Sequence, residues 1–495
     1  MPSKVTRRRF VTSMAVVPLV SPLSVLQTDP ERRPGGIRPN ILWIEVEDIG
    51  PFLACYGYDN ATPHLDALAA GGVRFTHVFM PAPVCSACRS ALITGTMQTT
   101  LGTHNHHSSR SADTARHLPE HVKTLPELFR QAGYFTFNQG KDDYNFWYDR
   151  SDLYAGEYTS HPLYGKSGKR EVGWQDRNPG QPFFGQIQLA GGKEIYAKKF
   201  MERVRNPIDR QSINLPPYYP DIPEIREEWA KHYDSIQLTD DRVGKIVDQL
   251  REDELLENTA LFFFSDHGMR LWRHKQFCYD SGLHVPFIVS WPGHPDRLGG
   301  AGIVRDDLVS GLDIAATSLV LAGTPIPDHM ESRDLFAKHF EPRNHIISAR
   351  DRCDYTIDRI RSVRTRRFRY IRNYFPDRPY MQPNYRDKWE ITRLMRRLHE
   401  DGKLDAIQDR FWSRPKPSEE LYDLEKDPHE IRNLAFDPAY KQILTKHRRT
   451  LTDWIDTTDD QGRYPEDSAN LKYMLDFWRK RGVEPVNPEY DHLKK

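Results

Sequence analysis

Asn40–Asp48 reads NILWIEVED, a run of Ile, Leu, Trp and Val that closes on two consecutive acids. An apolar run with little alternation belongs to a strand buried on both faces, as in a parallel sheet. Outward from it the signature recurs at Val73–Phe79, Tyr134–Asn138, Phe183–Leu189, Ala260–Phe264 and Val285–Ser290. Helical patterns lie between these runs. Thr62-Pro63 caps a helix through Ala70, with proline in the first turn where its missing N–H costs nothing. Thr124–Gln131 reads as a helix stopped by Gly133, and Ile225–Leu250 as a long amphipathic one. Strands alternating with helices predict an α/β fold, a mostly parallel sheet sandwiched by helices. Beyond about residue 340 the pattern changes: Arg361–Asn373 (RSVRTRRFRYIRN) looks like an antiparallel hairpin and Tyr440–Trp454 like a terminal helix. We therefore expect a main domain over 38–340 and a smaller α+β region over 341–495. No internal repeat or low-complexity tract is present.

Composition narrows the function. The 495 residues carry 70 Lys and Arg against 69 Asp and Glu, a formal charge of +1, which excludes a strongly polybasic nucleic-acid binder. No run of about 18 uninterrupted apolar residues occurs, so a polytopic membrane protein is excluded. Five cysteines, at 55, 85, 88, 278 and 353, are too few for a disulfide scaffold. The first thirty residues read as a delivery segment. Thr6-Arg7-Arg8-Arg9-Phe10-Val11 precedes a moderately apolar stretch to Leu26, broken by Pro18 and Pro22. Paired arginines in that position predict twin-arginine export, hence a bacterial periplasmic or secreted address.

In an open α/β sheet, ligands collect beyond the carboxyl ends of the strands. Glu47-Asp48 follows one strand and Ser265-Asp266-His267-Gly268 another. Two acids and an acid–imidazole pair brought together would suit one hard divalent cation. Cys85-Ser86-Ala87-Cys88-Arg89-Ser90-Ala91-Leu92-Ile93-Thr94-Gly95 then resembles the sulfatase signature, whose first cysteine is oxidised to formylglycine. The same Cys-x-x-Cys spacing occurs in redox pairs and half zinc sites, but no second pair completes a zinc site. The order of the other segments agrees with the family. Asn40–Gly50 and Asp266-His267-Gly268 look like its metal-binding strands, and Lys275–Asp280 with Val285-Pro286 like its lysine segment. Glu420–Leu424, Asp427-Pro428 and Asn433-Leu434 are similar to its C-terminal signature.

The resemblance implies an alkaline-phosphatase-like α/β fold and a sulfuric ester hydrolase. It assigns Glu47, Asp48, Asp266 and His267 as metal ligands, with Ca²⁺ the natural guess and Mg²⁺ an alternative. It assigns Cys85 as the nucleophile once a formylglycine-generating enzyme has modified it, Arg89 as the group orienting the hydrated aldehyde, and Lys141 and Lys275 as sulfate holders. Two positions depart from the family. Gly140-Lys141-Asp142-Asp143 stands where Gly-Lys-x-His is usual, so Asp143 replaces a proton-accepting histidine. Gly191-Gly192-Lys193 stands where Asp-Pro-His is usual, so Lys193 replaces the leaving-group acid. His104, His106 and His107 form an imidazole cluster soon after the cysteine helix, read as substrate-contacting or as an alternative proton donor. Arg350-Asp351-Arg352 is a charged triplet of which Arg352 is a candidate for sugar hydroxyls or a uronate. The expected substrate is a sulfated oligo- or polysaccharide, of heparan N-sulfatase or algal-polysaccharide type. The alternatives are a phosphonate or phosphate ester hydrolase on the same scaffold and a catalytically silent sulfated-glycan binder.

Overall fold

A computed structural model describes residues 38–156 and 171–485; the twin-arginine segment lies outside the described residues. The main sheet contains β1 (Asn40–Val46), β2 (Val73–Phe79), β3 (Phe135–Gln139), β4 (Phe183–Leu189), β5 (Thr259–Ser265), β6 (His284–Ser290) and β7 (Ile303–Ser310), in the order β3-β4-β1-β5-β6-β2-β7. Of these, β6 alone runs antiparallel to its neighbours. The fold class expected from the sequence is the one observed.

β1 is central, and every residue of it is buried. Ile41 and Trp43 face one apolar core with Phe184, Phe262 and Phe264, while Leu42, Ile44 and Val46 face another with Leu261 and Phe263. Two cores explain the lack of alternation in the sequence. Trp43 meets Phe184 and Phe264 edge-on at 5.5 and 5.2 Å. Full burial of large apolar side chains contributes about 1.5–3 kcal/mol each, so the strand is held from both sides. Glu45 breaks the apolar run; its partner is described below.

The helix at Pro63–Ala70 is present, although the Thr62 hydroxyl makes no capping bond to its backbone and donates to Asp66 Oδ1 at 3.2 Å; the long helix spans Pro223–Glu252. Thr124 and Glu127 form a capping box at the start of Leu125–Gln131. Several elements were not anticipated, among them the helices Asp313–Leu321 and Glu390–Glu400 and two further elements. β7 carries Arg305, Asp306 and Asp307 at the sheet edge, where one polar side faces solvent and the strand reads as a loop. The other is the helix Ser468–Arg479.

A second, four-stranded antiparallel sheet contains β8 (Ile346–Arg350), β9 (Ile360–Arg364), β10 (Phe368–Asn373) and β11 (Glu419–Asp423), in the order β11-β10-β9-β8. The basic hairpin expected over Arg361–Asn373 is β9–β10. This sheet is tied to the segment before Cys85: Ala349 N–H donates to Pro81 O at 2.9 Å, and Ser348 Oγ to Met80 O at 2.7 Å. Among the described residues no helix is long and apolar enough to cross a membrane.

Candidate active site

β3, β4, β1 and β5 are parallel neighbours, so the residues following each emerge along one edge. Val46 lies opposite both Leu189 and Ser265 in register. That register sets Glu47-Asp48 beside Asp266-His267, with Asp266 N–H donating to Val46 O at 3.0 Å. The turn after β4 packs directly on this strand end. A side chain at Gly191 would place its Cβ 2.2 Å from Glu47 O, and one at Gly192 would place it 2.5 Å from Asp48 O. The two glycines thus bring Lys193 against the acids. Asp48 itself takes a positive φ of 61°, uncommon outside glycine and asparagine.

The four expected metal ligands converge. His267 Nε2 is 3.1 Å from Asp48 Oδ1 and 3.6 Å from Asp266 Oδ1. His267 Nδ1 lies 2.8 Å from Gly268 O. A carbonyl only accepts, so Nδ1 carries a proton and Nε2 is the nitrogen that faces the acids, able to give its lone pair to a cation once deprotonated. Asp48 Oδ2 is buried without a hydrogen-bond partner. Oxygen donors, an inward imidazole nitrogen and an orphaned carboxylate oxygen fit a hard divalent cation. Asp48–Cys85–His267 and Glu47–Cys85–Asp266 each bring three donor atoms within 4.8 Å of one another.

Cys85 begins the wholly buried helix Cys85–Thr94 and is 3% exposed. Its Sγ lies 3.2 Å from His267 Nε2 and 3.1 Å from Lys275 Nζ. Lys275 Nζ also donates to Asp48 Oδ1 at 2.7 Å. Gln276 N–H donates to Pro83 O at 2.8 Å, fastening the lysine segment to the cysteine loop. Lys141 pairs with Glu47, and Lys193 Nζ reaches Glu47 Oε2 at 2.6 Å. Burial alone would raise the Cys85 thiol, but Lys141, Lys275, Lys193 and His267 outweigh it and hold it well below its ordinary value. Against burial, Lys141 and Lys193 likewise hold Glu47 at about 2. Cys88 points into the apolar core, where burial raises its thiol well above the ordinary value. The two cysteines of the motif thus sit in opposite environments.

One turn on from Cys85, Arg89 is clamped by Asp266 Oδ2 at 3.0 Å, Glu45 Oε1 at 3.1 Å and Gln188 Oε1 at 2.6 Å. Glu45 is the acid inside β1; burial, only partly offset by Arg89, raises it to about 7. Asp143, at a φ of 61°, pairs with Arg110 at 2.6 Å and Lys141 at 2.9 Å. Against burial, Lys141 and Arg110 hold it well below the ordinary carboxylate range. So paired, it is a weak proton acceptor and braces Lys141.

The three histidines separate. A ring nitrogen of His106, Cys85 Sγ and an Asp143 oxygen lie within 4.8 Å of one another. His106 Nδ1 is 3.0 Å from Asp354 Oδ2, and its ring stacks on His107 at 3.7 Å. His107 Nδ1 is 2.9 Å from Asp354 Oδ1, while its Nε2 is 3.7 Å from Asp143. His104 is buried and lines a separate cavity of about 100 Å³ with Arg116 and Glu466. Arg352 is buried too, forked onto Glu466 at 2.5 and 2.8 Å, and donates to His106 O at 3.0 Å. Its position is that of a brace for the histidine loop. Glu45, Arg110, Gln188 and Asp354 were missed in the sequence. Only Glu45 gave a signal, as a charge inside an apolar strand.

Residues 39–324 match the family model "Sulfatase", and 267–414 match "N-sulphoglucosamine sulphohydrolase, C-terminal". The chain belongs to the sulfatase family, and is a sulfuric ester hydrolase. It is 32% identical to an ulvan-active sulfatase of Formosa agariphila, over 91% of this chain and 80% of the relative. It is 27% identical to human N-sulphoglucosamine sulphohydrolase, over 86% and 91% of the two chains. A solved 2-O GAG sulfatase has the same fold, with a TM-score of 0.60 at 21% identity, covering 88% of this chain and 96% of that one.

Proposed function

We propose that this sulfatase removes sulfate from a sulfated oligo- or polysaccharide, using formylglycine made from Cys85 and a bound Ca²⁺. The observation that carries the reading is the contact of buried Cys85 Sγ with Lys275 Nζ and His267 Nε2, in front of three lysines held on two carboxylates. The names of the ulvan-active and N-sulphoglucosamine relatives support a saccharide substrate. The Arg7-Arg8-Arg9 leader supports assembly inside the cell and export to the periplasm or beyond.

Formylglycine, once present and hydrated, supplies a hydroxyl nucleophile at position 85. Glu47, Asp48, Asp266 and His267 would hold the cation, which when bound would polarise the sulfate and lower the pKa of that hydroxyl. The chain's own residues do the rest. Lys275 Nζ reaches both Asp48 and Cys85 Sγ, the position that an oxygen of the hydrated aldehyde would take, so a sulfate in front of residue 85 would lie within its reach. Lys141 and Lys193 add cationic donors from the other side, for charge that shifts among the oxygens in the transition state. Arg89, fixed by three partners, orients the group at 85. Lys193, raised by Glu47 against burial, stays charged and is an anion holder, not a proton donor. Above the raised pKa of His106, the proton given up at position 85 goes to that ring, a nitrogen of which lies within 4.8 Å of Cys85 Sγ and whose Nδ1 is set by Asp354. In the net reaction water gives its hydroxyl to the sulfur and a proton to the sugar alcohol.

The test is sulfate release, measured by ion chromatography, from sulfated saccharides by protein co-produced with a formylglycine-generating enzyme. Peptide mass should place the aldehyde at 85. Cys85→Ala should abolish turnover, while Cys88→Ala should keep it in the folded fraction. Full activity of Cys85→Ala, or turnover of phosphonate but not sulfate monoesters, would overturn the reading.

A further inference from the structure

Beside the catalytic edge lies a cavity of about 570 Å³ whose lining includes Tyr196, Phe200, Arg270, Lys388 and Trp389. It continues the site in sequence and in space. Tyr196 ends the short helix Gly191–Tyr196 that carries Lys193, and Arg270 stands three residues after His267. The Tyr196 hydroxyl, raised by burial, also feels the charges of Asp48 and Lys275.

Its walls have a particular chemistry. Tyr196 is 56% exposed, a large aromatic surface left open next to an active site. Its ring centre lies 6.3 Å from that of Trp389, tilted by 49°. The Arg270 guanidinium sits 5.7 Å from the Tyr196 ring and 5.8 Å from the Trp389 ring. Arg270 is itself 1% exposed and fixed to Glu228 Oε2 at 2.8 Å, and its buried Nε has no hydrogen-bond partner. Lys199, Lys231 and Lys388 stand around the mouth with Glu202, Glu228 and Glu390. With Arg270, cations outnumber acids by one.

An apolar protein segment or acyl chain would strip water from these charges without replacing their hydrogen bonds. A pyranose satisfies both parts: its C–H face packs on aromatic rings, and its hydroxyls exchange hydrogen bonds with charged side chains. Lys231 and Arg270 share the single carboxylate of Glu228, so one positive charge of the wall is uncompensated, which favours a sugar with a carboxylate or sulfate of its own. We propose that this cavity is a second saccharide subsite, holding the acidic sugar next to the one whose sulfate lies at Cys85, so that the preferred substrate is at least a disaccharide. The inference rests on the carbohydrate reading above.

The experiment compares 4-nitrophenyl sulfate, a sulfated monosaccharide, and sulfated uronate-containing di- and tetrasaccharides. Wild-type enzyme and the Tyr196→Ala and Trp389→Ala variants are measured on each. Tyr196 is open to solvent, so its removal leaves the core intact. If the rings anchor the second sugar, each variant should lose about 10- to 30-fold in kcat/KM on the disaccharide while changing less than about 2-fold on 4-nitrophenyl sulfate. Equal losses on both substrates, or no loss on a disaccharide that wild type cleaves, would overturn the subsite while leaving the carbohydrate reading intact. Turnover of 4-nitrophenyl sulfate with none of any saccharide would overturn both.

Discussion

Replacing Asp354 by asparagine isolates the proton-transfer step. Asp354 is 1% exposed and lies 3.0 Å from His106 Nδ1, 2.9 Å from His107 Nδ1 and 3.2 Å from Trp478 Nε1, three potential donors. Asparagine has the same shape but one oxygen and one amide nitrogen, so an imidazole must face an N–H. A hydrogen bond to a charged group is worth about 1.5–3 kcal/mol and a neutral one about 1, so the difference is about 0.5–2 kcal/mol. At about 1.36 kcal/mol per decade this is about 2- to 30-fold in kcat. The pH dependence carries a sign. Burial lowers His106, but Asp354 and then Cys353 outweigh it and hold His106 well above its ordinary value. A base works deprotonated, so wild-type turnover should fall as pH drops through that raised pKa. Without the carboxylate burial prevails, and the acidic limb should move to lower pH. The assay is kcat against pH on a sulfated saccharide, with thermal unfolding as a check on folding. Asp354→Asn added to His106→Ala should cost little more than His106→Ala alone. An Asp354→Asn enzyme with the wild-type kcat and an unmoved limb would refute the assignment, as would a fully active His106→Ala.

Metal removal and a single lysine test the remainder of the site. Calorimetric titration of Ca²⁺ into chelator-treated protein should show one binding site that Asp48→Asn weakens, with turnover returning as the site fills; metal-free enzyme working at the original rate would refute the ligand set. Lys275→Ala should lose about 10²–10³-fold in kcat if Lys275 acts as a preorganised donor to the transition state. An unchanged kcat with a raised KM would instead mark a ground-state binding group.

Most of the fold could be read because the central strands are buried on both faces. A run as short as Asn40–Val46, apolar but for Asn40 and Glu45 and without alternation, suits a strand with a core on either side, and the acids that follow it mark the strand end. β7 escaped because an edge strand tolerates charge, and Arg305-Asp306-Asp307 hides its pairing with β2. The ligands and Cys85 were legible as contiguous motifs. The proton-handling residues were not, since their roles depend on partners far along the chain. Asp143 looked like a base until Arg110 and Lys141 were found on it. His104 and His106 are two residues apart, yet only His106 faces Cys85, because Asp354, 248 residues later, holds its ring. Arg352 looked available for a sugar, but Glu466, 114 residues on, occupies its fork.

The burial of Cys85 also sets a timetable. It is 3% exposed on a helix with no residue at the surface, so an oxidising enzyme has no route to it in the finished fold. The lysine segment that closes over it contributes Lys275, 190 positions later in the chain. At about 5–20 residues per second of synthesis, that separation amounts to about 10–40 seconds. If position 85 is converted to formylglycine as proposed, maturation of the nucleophile in a chain that folds as it is made is a race between the oxidising enzyme and the ribosome. A slower translation of the stretch between the cysteine helix and β5 would raise the fraction of molecules that emerge able to work.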